Sequence, residues 1–219
     1  MNTGVRGALI IWHDMPEEQR DEMLAWYNGE HHAERMGIEG FQGVRRYHAV
    51  EADRHLFIHY ETSGPEVLTS EPYLARVNAP TAWSLKCQQM IRNNSRTVCA
   101  LESRHGTARG GFVVTHALRR TVDEERAQSF AAQRKAASKV PGFLAWEAFR
   151  ADNGASALPS AEKSLRGKAD DHIAGLHVFH VMDLGSARAV RDTLLQVPAL
   201  MGVETGIFQL AFSLSLSER

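Results

Sequence analysis

No stretch of this sequence runs apolar for the roughly 18 residues that a membrane-crossing helix needs. The N-terminal run Ala8–Trp12 is too short for a secretory signal and is followed at once by His13 and Asp14. A cytoplasmic protein with no membrane association is the expectation. Cysteine is scarce: Cys87 and Cys99, the two copies, fall on different expected elements without metal-ligand spacing, which argues for reduced, structural thiols. Neither sign of charge prevails, since 25 Lys and Arg face 26 Asp and Glu for a net charge of -1. That balance lacks the basic footprint of a nucleic-acid binder. GxGxxG, GxxxxGK(S/T) and GxSxG are absent as well, so neither a nucleotide cofactor nor a serine nucleophile is expected.

Histidine is plentiful by contrast, with 11 copies, and His31, His32, His48, His55 and His59 crowd the first third. Such crowding directs attention there for acid–base chemistry near neutral pH.

The periodicity yields an element order that repeats. Residues 5–12 are β-rich; Asp14 as a cap, Pro16 in the first turn and Glu17 and Glu18 near the positive helix end then start a helix running to about Met36. Gly37 and Gly40 close it. Strands over 41–51 and 55–62 flank a turn at Ala52–Asp53–Arg54, a broken helix or two short ones spans 65–91 around Pro72 and Pro80, and 95–103 is a fourth strand. From Arg104 the order recurs, with strands at 110–118, 142–151, 174–184 and 204–215 and helices at 122–140 and 185–202.

The fold class is therefore α+β: two tandem ferredoxin-like β-α-β-β-α-β repeats, 1–103 and 104–219, whose sheets pack into an intramolecular α+β barrel. Arg6-Gly7 and His13 match Arg109-Gly110 and His116 in spacing, and Gly40-Phe41 recurs as Gly142-Phe143. A sheet with both helices on one side needs its other face covered, and one repeat can cover the other, making a monomer that imitates a dimer. The polar insertion Asp152–His172 is expected as an exposed, partly mobile loop.

Along the first helix the apolar stripe Met23, Trp26, Tyr27 runs on, at helical spacing, into Glu30, His31 and Glu34. The second repeat has Gln133, Arg134 and Lys135 at the matching turn. A pair needed only for packing would be expected in both copies, so the asymmetry points to one working pocket, in the first repeat. The alternative is helix-end cations, with His32 favoured for that role. On the strand His55–Thr62, alternation puts His59 with Phe57 and Glu61 and could place it in the same cavity as His31. His13, Glu30, His31 and His59 are suitable metal-ligand types without a compact motif, so no metal is expected.

The run Trp26–Ala49 resembles the Trp-Tyr…Glu-His…Gly-Phe…Arg-Tyr pattern of EthD-like proteins of the dimeric α+β barrel superfamily, and Ser70–Tyr73 is similar to the Ser-x-x-Tyr segment after their third strand. The resemblance covers residues 12–83. It implies a pocket between sheet and helices in each repeat, and a reaction drawn from lactone isomerisation, polyketide cyclisation, cofactor-free oxygenation or haem chemistry.

Together these readings give an expectation of a cofactor-independent acid/base enzyme of isomerase, cyclase or lyase type acting on a small aromatic, lactone or polyketide-like carbonyl compound. His31 is the expected general acid/base, oriented by Glu30 or Glu34, with Tyr47, Tyr27 or His59 polarising the carbonyl. Trp12, His13, Trp26, Tyr27, Glu34, Arg46 and Tyr73 are expected to contact substrate. A non-catalytic small-molecule binder and a cofactor-free monooxygenase are the alternatives.

Overall fold

The computed structural model describes residues 4–120, 124–196 and 203–216. The expected ends of two helices, at 122–123 and 197–202, lie outside the described residues. The first β-α-β-β-α-β unit comprises β1 (Gly7–Asp14), α1 (Arg20–Trp26), α2 (His32–Met36), β2 (Phe41–Glu51), β3 (Leu56–Thr62), α3 (Glu71–Asn78), α4 (Ala82–Gln88) and β4 (Arg92–His105). The second comprises β5 (Phe112–Leu118), α5 (Glu124–Ala137), β6 (Phe143–Ala151), α6 (Asn153–Ala157), α7 (Ala161–Ser164), β7 (Gly175–Val181), α8 (Leu184–Leu195) and β8 (Val203–Ser215).

All eight strands close one antiparallel barrel in the order β1-β3-β2-β8-β5-β7-β6-β4. Within each unit the fourth strand lies beside the first. The units join edge to edge, β2 on β8 and β4 on β6, and closure removes the free strand edges an open sheet would expose. Strand alternation sends one set of side chains inward from both units: Ala8, Ile10, Trp12, Tyr47 and Phe57 meet Val113, Phe149, Leu176, Val178 and Phe208 in a shared interior. The opposite faces pack under helices. Leu9, Ile58, Tyr60 and Val98 meet Met23, Trp26 and Val77 in the first layer; Val114, Phe179 and Ile207 meet Ala187, Val190 and Leu194 in the second. Each fully buried large side chain of this kind contributes about 1.5–3 kcal/mol.

Two sequence expectations shift. Asp14 ends β1 rather than capping the helix, and its carboxylate accepts from the His55 N–H at 2.9 Å and from Asn93 at 2.6 Å. The insertion is no loose loop: α6 and α7 dock on the first layer, burying Ser156 and Glu162. Its polar composition, read as solvation, serves instead to meet buried polar groups of the layer beneath, as with Ser156 Oγ accepting from the Val98 N–H at 2.9 Å. The repeated Gly-Phe junctions are real turns, with φ of 93° at Gly40 and 82° at Gly142, where an L side chain is strained.

Candidate active site

Between α1 and α2 the chain makes one π-helical turn, Tyr27–His31. Its i→i+5 bonding takes up an extra residue and changes which side chains face inward. The stripe of Met23, Trp26 and Tyr27 therefore continues onto His31, His32 and Arg35, all buried. It does not continue onto Glu30 and Glu34. Glu30 accepts from Thr81 (2.6 Å) and Ser84 (3.2 Å) on the α4 side, and Glu34 pairs with Arg76 at 2.5 Å. Neither carboxylate orients His31, contrary to the sequence expectation. His32 is likewise buried rather than placed at an exposed helix end.

His31 lines a small cavity of about 30 Å³ with Tyr27, Arg35, Tyr60, Tyr73, Arg96 and, from the insertion, Glu162 and Arg166. That is room for about two waters. Ile91, Asn94 and Arg166 line both this cavity and an outer cleft of about 760 Å³, so they stand between the two. The insertion closes the cavity from above: buried Arg35 pairs with Glu162, while Arg166 holds Asp170 at 2.6 Å and Gln88 at 2.9 Å.

Hydrogen-bond directions around the cavity can be worked out from the donors that must donate. His13 Nδ1 lies 3.0 Å from the Asp14 carbonyl and therefore carries the proton. Burial holds the ring neutral, with a pKa lowered to about 4, so Nε2 accepts from the Tyr27 hydroxyl at 2.7 Å. Tyr27 has then spent its hydrogen and offers the cavity lone pairs alone. His32 is neutral too, its pKa lowered to about 3 by burial, then by Arg46 and Arg35. Arg46 donates to its Nε2 at 3.4 Å, so Nδ1–H donates to Tyr60 at 2.8 Å and leaves the Tyr60 hydrogen free. Arg96 donates to the Tyr73 oxygen at 2.6 Å, which frees the Tyr73 hydrogen.

Three groups of cavity-lining side chains find no partner among the described residues: His31 Nδ1, Arg35 Nη1 and Arg96 Nη1. Buried polar groups are rarely left so. His31 is held neutral, its pKa well below the ordinary value through burial, Arg35 and His32. The arrangement thus offers a neutral imidazole, an acceptor at Nδ1 when its proton sits on Nε2, beside two guanidinium N–H donors and two tyrosine O–H donors. A group that gains negative charge on oxygen as it loses a proton matches it.

The structure gathers His31, Tyr27 and Tyr73 at this cavity. Trp26 packs on His31 at 4.3 Å between ring centroids and donates its indole N–H to Ser84; His13 acts through Tyr27. Arg46 shares the helix layer but sits behind the cavity wall, on Asn28 at 2.9 Å and over the Tyr27 ring.

His59, Tyr47 and Trp12 are elsewhere. They point into the barrel interior, on the far face of the sheet from His31, because adjacent β3 residues alternate and Tyr60 takes the helix side. Tyr47 and Trp12 stack on Phe57 at 5.5 and 5.1 Å. His59 lies with Glu61 and Glu147, ligand-type atoms all within 4.8 Å of one another. Both carboxylates are engaged there, Glu61 by Arg45 and Glu147 by Arg109, each at 2.6 Å. Arg45 and Arg109 already balance the two carboxylates, so a divalent cation there would meet two guanidinium charges. His13, His31 and His59 do not converge on a common point of coordination either, and Glu30 faces α4.

Among the ionisable cavity residues, five escape the sequence reading: Arg35, Tyr60, Arg96, Glu162 and Arg166. Tyr60 was legible as the alternate of His59, while Glu162 and Arg166 come from an insertion whose docking leaves no periodic signal.

The second repeat holds its own cavity, of about 330 Å³. Its residues do not fit a haem, because the imidazole lining it, His177, has its Nε2 engaged at 3.1 Å by Arg134. Among the described residues no helix is long and apolar enough to cross a membrane.

No family model matches this chain, and no curated protein does. Solved structures do. An anthrone oxidase-like protein superposes with a TM-score of 0.61 at 11% identity, over 96% of this chain and 93% of its own. A protein described as a monooxygenase from Fusobacterium nucleatum gives 0.54 at 11%, over 97% and 95%. A protein described as a chlorite dismutase gives 0.51 at 10%, over 95% of each chain. At such identities the likeness establishes architecture alone: an α+β fold around one closed eight-stranded antiparallel barrel.

Proposed function

We propose that this chain is a cofactor-independent enzyme that removes a proton from the carbon beside the carbonyl of a small aromatic, lactone or polyketide-like compound. His31 takes the proton, and the electron pair moves onto the carbonyl oxygen. Arg35, Arg96, Tyr60 and Tyr73 donate to that oxygen. Returning the proton at another carbon completes an isomerisation, and attack by or expulsion from the carbanion gives cyclisation or elimination. Burial and Arg35 disfavour the imidazolium on their own, and the adjacent oxyanion offsets them, so both charges appear together.

One observation carries this reading: an unpartnered neutral imidazole nitrogen and unpartnered guanidinium N–H groups belong to the walls of one buried cavity. A π-helical turn at its edge supports it, since such turns recur at functional sites. The body of the substrate lies in the outer cleft of about 760 Å³, and its carbonyl end alone reaches past Ile91, Asn94 and Arg166 toward His31, since the inner cavity holds about two waters. Cofactor-free oxygenation is the second reading, favoured by the names of the structural neighbours, because the same carbanion could pass its electrons to dioxygen supplied in solution.

Anthrone and a panel of enolisable aryl ketones and lactones in heavy water test this. Enzyme-dependent exchange of the carbon-bound hydrogen is expected, lowered about 10²-fold or more in His31→Gln. Dioxygen consumption alongside exchange selects oxygenation. Saturable binding without exchange for any compound selects a non-catalytic binder and refutes the reading.

A further inference from the structure

The second-repeat cavity lies under α5, with Phe130 and Arg134 on the helix side and Leu118, Ala148 and His177 among the residues facing them. Its volume of about 330 Å³ is at the lower end of the roughly 300–1,000 Å³ of ligand sites. The wall is largely apolar, but its charge is one-sided: Arg120, Arg134 and Arg150 line it against the one carboxylate of Glu102. Glu102 is itself engaged by Arg150 at 2.9 Å.

Arg134 is the odd group. It is half-buried and forms no ion pair with a described side chain. Its Nη1 donates to the neutral His177 Nε2 at 3.1 Å, its guanidinium lies over the Trp146 ring at 4.9 Å, and its Nε is buried without a partner. His116 stacks on His177 and has both ring nitrogens unpartnered. Burial pushes the His177 pKa down to about 3, so the ring brings Arg134 no charge and no counter-ion. Held on an aromatic face and a neutral imidazole at the cavity wall, this cation has no hydrogen-bonded anion among the described residues, Glu102 acting on it through space alone.

We propose that this cavity is a second ligand site, distinct from the first-repeat cavity, which takes a small apolar monocarboxylate of aromatic or branched type. Its carboxylate pairs with Arg134, and its hydrocarbon body lies between Phe130 and Leu118. Arg150 is already paired with Glu102 and Arg120 is exposed to solvent, so Arg134 is the guanidinium left at the apolar part of the wall, which suits a monoanion; a phosphate or dicarboxylate would set its second charge against Phe130 and Leu118.

Calorimetric titration of the full chain with benzoate and with its neutral isostere benzamide tests this. Benzoate is expected to saturate and benzamide to bind at least about tenfold more weakly, a difference of about 1.4 kcal/mol. Arg134→Gln should weaken benzoate by at least about tenfold, and Ala174→Leu, which fills the cavity from the segment before β7, should abolish its binding. Arg96→Met, in the other repeat, should leave it unchanged. Equal binding of the amide, indifference to Arg134→Gln, a loss in Arg96→Met, or no saturation each overturns the proposal. Should Arg134→Gln not fold, Ala174→Leu decides alone: undiminished benzoate binding refutes the site.

Discussion

Replacing Glu162 by Ala removes the one ion-pair partner, among the described residues, of the Arg35 guanidinium, which is 2% exposed. Burial opposes the charge on Arg35, but Glu162 together with Tyr73 and Tyr60 raises its pKa overall, so the guanidinium stays charged. Breaking such a pair from one side strands the other charge, at a cost of about 3–5 kcal/mol. With a urea slope near 3 kcal/mol per molar for a chain of this size, the midpoint should fall by about 1 M or more. The insertion offers a partial escape: α6 and α7 can lift and let water reach Arg35, which caps the global loss and appears as faster amide exchange across 153–164. The double variant Arg35→Met/Glu162→Met discriminates. Replacing both charges by apolar groups of similar size should restore most of the midpoint, since neither desolvation cost remains. A midpoint change in Glu162→Ala worth less than about 1 kcal/mol, with no change in exchange, would refute the docking argument. So would a double variant as unstable as the sum of the singles.

Stability should fall steeply with acid. His13, His31, His32, His59, His116, His177 and His180 are buried, each with its pKa lowered primarily by burial, His13, His59 and His116 to about 4. The unfolded chain therefore binds more protons as pH drops below about 6.5, and each imidazole removes up to about 1.4 kcal/mol per pH unit until its folded pKa is reached. Urea midpoints measured from pH 7 to pH 5 check this, and a flat profile would contradict it. Gly40→Ala forces an L side chain to a φ of 93° with its Cβ 2.5 Å from Val67 Cγ2, and should cost at least about 1–2 kcal/mol by denaturation. Glu147→Gln weakens the anchors of Arg109 and His180 inside the barrel, and should lower the thermal midpoint while leaving hydrogen exchange at substrate carbon intact, since that cluster lies across the sheet from His31. Both thiols are buried and pushed to higher pKa by that burial, so thiol reagents should modify Cys87 and Cys99 only after unfolding.

Strand periodicity made the barrel legible. The alternation of Leu9 with Ile10 and of Tyr60 with His59 belongs to a sheet buried on both faces, and the recurrence of Arg-Gly marks equivalent strand starts while that of Gly-Phe marks equivalent turns. The same alternation, read one step further, already separated His59 from the helix layer; grouping it with His31 ignored that. The helix was harder. A π turn shifts the inward face without any residue type that announces it, so Glu30 and Glu34 read as site residues while Arg35 did not. His32 and Arg46 show another limit: their role, fixing the direction of the Tyr60 hydroxyl, depends on pair geometry across two elements. Glu162 and Arg166 come from a segment whose composition matches a solvated loop, and only tertiary docking distinguishes the two.

The most direct test of the His31 assignment is the absorbance spectrum of para-nitrophenol bound to the wild type and to His31→Gln, at a pH below the ligand's own pKa in water. If a neutral His31 faces oxyanion donors, the wild type binds the ligand as the coloured phenolate, its proton on the imidazole, and His31→Gln binds it as the neutral phenol. Neutral phenol in both proteins, or no saturable binding to the wild type, would contradict the assignment.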